Sequence, residues 1–136
     1  MLYSRYAALI LFLGILYPQA SYAADPCAGV NQTLTKDLKK QYAPLIAKSL
    51  NGKVSPSKVD IDSIIQSGTW TIIYASTPIA DPGYFFFNSS SGKPVFKDVW
   101  GGIAEKGEAP KIAKWARNLG ANKTISTCFA DTVTAD

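Results

Sequence analysis

The sequence predicts an α+β fold with an N-terminal helix, a four-stranded antiparallel meander, and two C-terminal helices packed on one sheet face. Apolar residues recur every three or four positions before residue 51 and again after residue 109, as on the buried side of a helix. Between these segments, runs of β-branched and aromatic residues alternate with turn sequences, which is typical of antiparallel strands. Helices before and after a meander indicate one α+β domain, whose second sheet face is then open to solvent or to a partner.

The first helix is predicted over residues 34–50. Thr33 or Thr35 can cap its start, and Asn51-Gly52 can end it because both residues tolerate the left-handed conformation. Pro44 lies inside this segment, where it removes one backbone hydrogen bond and clashes with the preceding turn. We therefore expect a kink near Ala43 or two consecutive helical pieces. The apolar face consists of Leu34, Leu38, Tyr42, Leu45, Ile46 and Leu50.

Four strands are predicted after this helix, joined by short turns. They span residues 59–62, 69–74, 84–87 and 95–100. A tight turn is expected at Ser67-Gly68, a longer loop over 78–83, and a hairpin loop over 89–92, since Gly, Pro, Asp and Ser favour turns. This spacing predicts a meander in which each strand pairs with the next.

Two further helices are predicted after the sheet. The first covers residues 109–119, with Pro110 in its first turn and Gly120 just past its end, where helices prefer these residues. The second is short, begins after the capping residue Asn122, and has an apolar face around Cys128. The remaining residues are expected to form a tail.

The first 23 residues are predicted to be a secretory signal peptide. Arg5 provides the positive start, residues 7–17 form an unbroken apolar run, and Ser21 and Ala23 are the small residues of a cleavage site. The run is shorter than the ~20 apolar residues of a transmembrane helix, so no permanent membrane anchor is expected. We therefore expect a single domain, residues 24–136, that is periplasmic or secreted.

The sequence contains two cysteines, Cys27 and Cys128. In an oxidising compartment such a pair usually forms a disulfide, and closing a loop of about 100 residues would stabilise the fold by ~4.7 kcal/mol. Two free thiols, a redox pair or a metal site are the alternatives. A redox motif needs closely spaced cysteines, and zinc needs more cysteine or histidine, whereas the chain has no histidine. The disulfide is therefore preferred, and neither a metal nor a cofactor is expected.

The charge of the chain is mildly positive. Lys and Arg number 14 and Asp and Glu number 10, which gives a formal net charge of +4. The lysines are scattered along the chain, and only Lys39 and Lys40 are adjacent. Because a nucleic-acid-binding protein normally has a basic stripe, no nucleic-acid partner is expected.

Catalytic motifs are scarce in the sequence. Without histidine there is no histidine-based triad or general base, and paired cysteines leave no thiol nucleophile. Two carboxylates are enough for glycoside hydrolysis, and Asp60 and Asp62 share one face of a predicted strand, with Glu105 as a further candidate. The alternative is that the aspartates form the polar face of an amphipathic strand. We favour this alternative and expect a binding protein rather than an enzyme.

An aromatic segment in the second half of the chain is the best candidate for a site. Tyr84, Phe85, Phe86 and Phe87 are consecutive, so a strand would direct two of them to each sheet face. If one face packs on the helices, the other presents aromatic surface, which often marks a binding site. If both faces are covered, these residues fill the core instead. The candidate binding residues are Tyr84, Phe85, Phe86, Phe87, Lys97, Asp98, Trp100, Gly101 and Gly102.

Several stretches of the chain resemble small exported bacterial proteins of uncharacterised function. They are residues 68–70, 84–87, 96–102 and 128–130. The combination of a signal peptide, one small disulfide-linked α+β domain and no catalytic set is also similar to periplasmic inhibitors and immunity proteins. This resemblance implies binding to another protein, and it assigns no role to any residue.

The function predicted from these observations is that of an exported protein-binding domain, as an inhibitor or immunity-type factor in the periplasm. The alternative is a protein that binds a small apolar ligand in a pocket between the sheet and the helices. The lining of that pocket would be Tyr74, Tyr84, Phe86 and Trp100. A second alternative is a carboxylate-dependent hydrolase.

Overall fold

The computed structural model describes residues 17–135 and has an α+β fold with one four-stranded antiparallel sheet and three α-helices, as the sequence predicts. The strand order is β1-β2-β3-β4, so each strand pairs with its neighbour in the chain. The elements are α1 Lys36–Ser49, β1 Asp60–Ser67, β2 Trp70–Thr77, β3 Ala80–Asn88, β4 Val95–Gly101, α2 Ala109–Asn118 and α3 Lys123–Thr134. Short 3₁₀ helices span Pro56–Lys58 and Lys106–Glu108.

Most of the predicted signal peptide lies outside the described residues. Residues 17–23 are exposed and belong to neither a helix nor a strand. Among residues 17–135, no helix is both long enough and apolar enough to cross a membrane. Export of the protein therefore stays a prediction.

The helix α1 is continuous across Pro44. Thr35 caps it, because its side chain accepts a hydrogen bond from the backbone N–H of Leu38 at 3.2 Å. The expectation of two consecutive helical pieces is therefore wrong. Pro44 is exposed, whereas Tyr42 and Ile46 are buried against the sheet, and this packing stabilises the helix despite the hydrogen bond that Pro44 removes.

The turns between the strands are short. Gly68-Thr69 joins β1 to β2, one residue later than predicted. The predicted loop over 78–83 is wrong, since Pro78-Ile79 alone makes the turn and β3 begins at Ala80. Gly83 pairs with both β2 and β4, so backbone pairing extends β3 across a sequence that intrinsic preference assigns to a loop.

Both faces of the sheet are covered by helices, so the prediction of an open face is wrong. The helix α1 packs on one face, and the buried residues there are Tyr42, Ile46, Ile61, Ile64, Ile73, Ala75, Phe85 and Phe87. The helices α2 and α3 pack on the other face, where the buried residues include Ile72, Phe86, Ile112, Ala116, Ile125 and Phe129. A domain of this size buries only a modest share of its surface, so using both faces increases the apolar area that it removes from water.

The predicted disulfide between Cys27 and Cys128 is present, and it joins residues 101 positions apart. Cys128 lies in α3 and is fully buried in the cluster beneath α2 and α3. Further along the chain, Asn31 pairs with Gln66 of β1 through backbone N–H···O bonds of 2.9 and 2.8 Å. The segment before α1 is thus attached to both a helix and the sheet.

The helix α3 is longer than the sequence predicts. Asn122 caps its start as expected, accepting a hydrogen bond from the backbone N–H of Ile125 at 2.9 Å. The helix then continues to Thr134, so most of the predicted tail over 132–136 is helical. This extra turn matters because it forms one wall of the candidate site.

Candidate functional site

Three aromatic side chains from three neighbouring strands lie side by side near one end of the sheet. Tyr74 of β2 is directly opposite Tyr84 of β3, which is directly opposite Trp100 of β4. The ring centroids of Tyr74 and Tyr84 are 4.6 Å apart, and those of Tyr84 and Trp100 are 6.1 Å apart. Opposite residues in an antiparallel sheet share a face, so the strand register itself produces this arrangement. We call Tyr74, Tyr84 and Trp100 the aromatic row.

The helix α3 supports the aromatic row from the core. Its fully buried Phe129 lies 5.3 Å from the ring of Tyr84 and 5.8 Å from that of Trp100, in both cases edge to face. Such aromatic pairs contribute ~0.5–1.5 kcal/mol beyond the area that they bury. The three residues of the aromatic row are themselves only half-buried. The row is therefore held in place while part of each ring stays accessible.

The aromatic row lines an open cleft of about 430 Å³. The loop after β4 and the last turn of α3 provide the rest of its lining. Besides the aromatic row, the lining residues are Pro82, Gly101, Gly102, Ile103, Ala104, Thr132, Val133 and Ala135. None of these residues carries a charged side chain. Among residues 17–135, the lining of the cleft is therefore uncharged and consists mainly of aromatic rings and backbone groups.

The phenol of Tyr84 stays protonated over the ordinary pH range. Burial raises its pKa above the usual value of 10.0, and the nearby phenol of Tyr74 adds to the increase. Neither hydroxyl is hydrogen-bonded to another of the described residues. The two phenols are thus free to donate hydrogen bonds to a molecule in the cleft.

Two glycines shape the chain around the cleft. Gly102 has a φ of 116°, a conformation that side-chain-bearing residues rarely adopt, and a Cβ there would meet no atom within 4 Å. Gly83 allows β3 and β4 to approach, because a Cβ there would lie 3.0 Å from the side chain of Val99 and 3.2 Å from the backbone oxygen of Trp100. Conformation therefore favours glycine at the first position, and limited space favours it at the second.

The structure places only part of the predicted binding segment in the cleft. The predicted residues that line it are Tyr84, Trp100, Gly101 and Gly102. Phe85, Phe86 and Phe87 are at most 3% exposed, so the prediction that they form an exposed aromatic surface is wrong. The physical reason is that each face has its own helical cover. The ring of Phe86 lies 4.8 Å from Phe129 of α3, and that of Phe87 lies 5.1 Å from Tyr42 of α1.

Lys97 and Asp98, predicted as a polar rim, lie in the middle of β4 and do not line the cleft. The register shifts here, because Asp98 pairs with Phe86 and Phe96 pairs with Phe87, which leaves Lys97 as the extra residue of a β-bulge. The carboxylate of Asp98 accepts a hydrogen bond from the backbone N–H of the next residue at 2.8 Å. Both residues therefore belong to the bulge of β4, and neither lines the cleft.

A second accessible surface lies between α1 and β4. Val95, Phe96 and Val99 are 44, 36 and 41% exposed there. Val95 and Phe96, together with Leu45 and Lys48 of α1, line a groove of about 380 Å³. The strand β4 is also the last strand of the sheet. We call this the α1–β4 groove, and its apolar side chains are accessible as well.

Asp60 and Asp62 lie at the start of β1, where both are exposed and flank the buried Ile61. The pairing of β1 shifts register between Ile61 and Ser63, so Asp62 is the extra residue of a β-bulge. Ile61 and Ile64 are three positions apart, so a regular strand would direct them to opposite faces. The bulge lets both of them face α1. The exposed–buried–exposed pattern over residues 60–62 suits the favoured interpretation, in which the aspartates form the polar side of an amphipathic strand.

Glu105 lies just before the 3₁₀ helix Lys106–Glu108. Its backbone N–H donates a hydrogen bond to the carboxylate of Glu108 at 3.0 Å, as in the capping of a helix start. Among residues 17–135, no three His, Cys, Asp or Glu side chains are grouped closely enough to hold a metal ion. Glu105 and Glu108 thus contribute to the start of the 3₁₀ helix Lys106–Glu108.

Sequence reasoning missed the wall of the cleft that faces the aromatic row. Val133 belongs to the segment predicted as a tail, although its spacing of four from Phe129 continues the apolar face of α3. Ile103 follows the double glycine and is 98% exposed. This exposure is visible only in the structure, and a large aliphatic side chain in water often marks a contact surface.

No protein-family model, curated protein or solved structure matches the chain. The chemistry of the cleft is therefore the basis for a functional proposal. Its uncharged lining, accessible aromatic rings and free phenol donors suit a binding site for a neutral group.

Proposed function

We propose that this protein is an exported domain that binds another protein, as a periplasmic inhibitor or immunity-type factor, and that the cleft is its contact site. The observation that carries the proposal is the aromatic row. Tyr84 stays half-exposed in a strand whose three phenylalanines are sealed in the core. Trp and Tyr are enriched among the residues that dominate protein interfaces, since they combine a large apolar ring with a hydrogen-bonding group.

The composition of the cleft supports contact with a protein. Charged residues are depleted at the centres of protein interfaces and aromatic residues are enriched there. The described residues that line the cleft have this composition, with three aromatic residues and no charged side chain among them. The exposed Ile103 beside it provides an apolar group that a partner could cover.

Export is the second part of the proposal. Residues 1–23 have the pattern of a signal peptide, and the Cys27–Cys128 disulfide suits an oxidising compartment. Cleavage after Ala23 would leave the disulfide close to the new N-terminus. The first cysteine would then attach the otherwise free end of the mature chain to the buried helix α3.

The test of protein binding is capture of the partner from the cell envelope of the host, with two matched variants. Ile103→Asp places a charge in the cleft, and Val95→Asp places one in the α1–β4 groove, in each case at an exposed side chain. We expect the wild-type protein and Val95→Asp to recover the same partner in stoichiometric amount. Ile103→Asp should recover at least ten times less, since a charge at the contact has to be desolvated.

Two results would contradict the proposal. Loss of the partner with Val95→Asp but not with Ile103→Asp would move the contact to the α1–β4 groove. Failure of the wild-type protein to recover any partner reproducibly would argue against protein binding altogether.

Binding of a small molecule in the same cleft is the second candidate function. The volume of about 430 Å³ lies in the range of ligand sites, ~300–1,000 Å³. Tyr74, Tyr84 and Trp100 line the cleft as predicted for such a pocket, whereas Phe86 is fully buried behind it. Because two phenol hydroxyls are available, the ligand would be neutral and hydrogen-bonding rather than purely apolar. A thermal-shift screen should then find neutral compounds that stabilise the wild type but not Ile103→Asp, and a screen without such compounds would contradict this function.

A further inference from the structure

We infer that Lys97 and Asp98 protect the outer edge of β4 from pairing with β4 of a second copy of the chain. The inference goes beyond the proposed function, because it concerns a surface outside the cleft. Among residues 17–135, β4 is the last strand of the sheet, so every second residue directs its backbone groups away from the other strands. Val95, Phe96 and Val99 of this strand are also 44, 36 and 41% exposed. An exposed apolar edge strand of this kind favours pairing with another chain.

The hydrogen-bond pattern of the sheet identifies the backbone groups that point outward from β4. These bonds alternate along an antiparallel strand, and the N–H of Ser89 bonds to the backbone oxygen of Thr69 on the β2 side of β3. Counting back along β3 in steps of two, Phe85 also directs its backbone groups to β2. Val99 is directly opposite Phe85, so its own N–H and C=O point away from β3. The edge therefore presents Val99 to any strand that would add there.

The side chain of Asp98 occupies the outward N–H of Val99. Its carboxylate accepts a hydrogen bond from this N–H at 2.8 Å. A strand that adds to the edge needs the same N–H, because two residues in a hydrogen-bonded pair exchange both of their N–H···O bonds. The contact within β4 therefore competes with a bond to another chain.

Lys97 disturbs the same edge through its position in the strand. It is the extra residue of the bulge in β4, and its side chain is exposed. A bulge interrupts the regular spacing of the backbone groups. A lysine at an edge also brings a charge that a paired strand would have to desolvate. Natural sheets use both features to prevent edge-to-edge pairing.

The opposite edge of the sheet has the same two features, which supports the inference independently. The edge strand β1 contains a bulge whose extra residue, Asp62, is exposed and charged. The outward backbone groups of Gln66 in β1 exchange two hydrogen bonds with Asn31, of 2.9 and 2.8 Å. Each edge thus combines a bulge that contains a charged residue with an outward backbone group that is already bonded within the chain.

The chain that these features exclude at β4 is a second copy of the protein. Every copy has the same edge, so two copies can pair around a two-fold axis, the commonest symmetry of protein dimers. Without Lys97, an antiparallel pair centred on Val99 would place Val99 opposite its counterpart and Phe96 opposite Gly101 of the other copy. These residues are uncharged and favour the pair. Lys97 and Asp98 are the residues of β4 that oppose it.

The test is sedimentation of the oxidised wild type and of a double variant in which Lys97 is deleted and Asp98→Ala removes the acceptor. The deletion makes the pairing of β3 with β4 regular and removes no residue that is paired with β3. We expect the wild type to be a monomer at about 0.1 mM and the double variant to be a dimer, with self-association at least about tenfold tighter. Far-UV circular dichroism checks that both proteins are folded.

Val99→Pro, added to the double variant, is the matched control. Proline has no N–H, but the N–H of Val99 points away from β3, so the bonds between β3 and β4 are kept. We expect the triple variant to be a folded monomer, because the N–H that would bond to the other copy is gone. Association through apolar side chains alone would persist, since one apolar side chain replaces another.

Three outcomes would overturn the inference. They are a wild type that dimerises until Val99→Pro is introduced, a folded double variant that stays monomeric, and a dimer of the double variant that persists with Val99→Pro. If the double variant does not fold, Asp98→Ala alone decides, because it keeps the bulge and frees only the N–H of Val99. We expect this variant to associate at about 1 mM, where the wild type does not. Equal behaviour of the two would also overturn the inference.

Discussion

The two faces of the sheet are made by the same four strands but are closed to different extents. On the α1 face, Phe85 and Phe87 are sealed, and the hydroxyl of Tyr42 donates a hydrogen bond to Thr71 Oγ1 at 3.1 Å. On the α2 and α3 face, Phe86 is equally sealed, but the end of that face remains open as the cleft. A tyrosine on the first face has its polar partner inside the protein, whereas the phenols in the cleft have none among the described residues. The open end therefore keeps its aromatic rings partly accessible, and the proposed binding function depends on this accessibility.

Residues 84–87 show the same contrast within one strand. Three phenylalanines are at most 3% exposed, whereas Tyr84, which differs from them by one hydroxyl, is half-buried. A phenol can remain in contact with water while its ring packs against the core. The tyrosine thus marks where the core ends and the cleft begins.

The largest expected effect comes from the disulfide, which belongs to the α2 and α3 face. Replacing Cys27 and Cys128 by alanine should lower the free energy of unfolding by ~4.7 kcal/mol, as for a loop of about 100 residues. Urea unfolding of the oxidised protein and of the variant measures the difference. A loss below about 1 kcal/mol would mean that the disulfide is not a principal support of this face.

The next effect tests whether both faces are sealed. Phe86→Ala on one face and Phe87→Ala on the other should each lower the free energy of unfolding by ~3–5 kcal/mol, because each leaves a cavity. The same substitution at the partly exposed Phe96 is the control and should cost clearly less. If either core variant were as stable as the Phe96 variant, the face that it belongs to would not be closed.

The extent to which the sequence specifies the fold varies along the chain. Helices and strands with a clear apolar period were predictable, since the residues that produce the period are the ones that become buried. The bulge at Asp62 and the early start of β3 were not, because pairing with neighbouring strands determines both. The prediction of an open face overlooked a local signal. The first helix has six apolar residues on one side. These residues need an apolar surface to pack against, and the second sheet face is that surface.

The candidate site was only partly predictable for a similar reason. The excess of aromatic residues pointed to Tyr84, Trp100 and the double glycine, which do line the cleft. It pointed equally to the three phenylalanines, because the sequence of one strand does not say which helix covers each face. The wall formed by α3 depends on a contact between residues that are far apart in the chain, and no local pattern contains that contact.

A smaller effect compares one chemical change on the two faces. Tyr42→Phe removes a buried hydroxyl that is bonded to Thr71 and should lower the free energy of unfolding by ~0.5–1.5 kcal/mol. Tyr84→Phe removes a hydroxyl without such a bond and should change it by less than ~0.5 kcal/mol. Urea unfolding of the two variants compares them directly. Equal losses would indicate that the phenol of Tyr84 has a structural role instead of a binding one.

The smallest effect concerns alkaline pH. Burial raises the pKa of Tyr84 in the folded protein above 10.0, so the unfolded chain releases this proton first as the pH rises. The contribution of Tyr84 to stability is therefore complete below pH 10 and is lost as the pH rises towards the folded pKa. The free energy of unfolding of the wild type should fall more steeply between about pH 9 and 11 than that of Tyr84→Phe. Identical slopes would show that the phenol is no less hydrated in the folded protein than in the unfolded chain.

Site-specific photocrosslinking in the living cell envelope tests the central claim most directly. Benzoylphenylalanine would replace Ile103 beside the cleft in one sample and Val95 in the α1–β4 groove in the other, both exposed side chains. If the cleft binds a partner protein, light should produce a covalent adduct of one defined mass from position 103 and none from position 95. An adduct from position 95 and none from position 103 would place the partner on the opposite face and contradict the account.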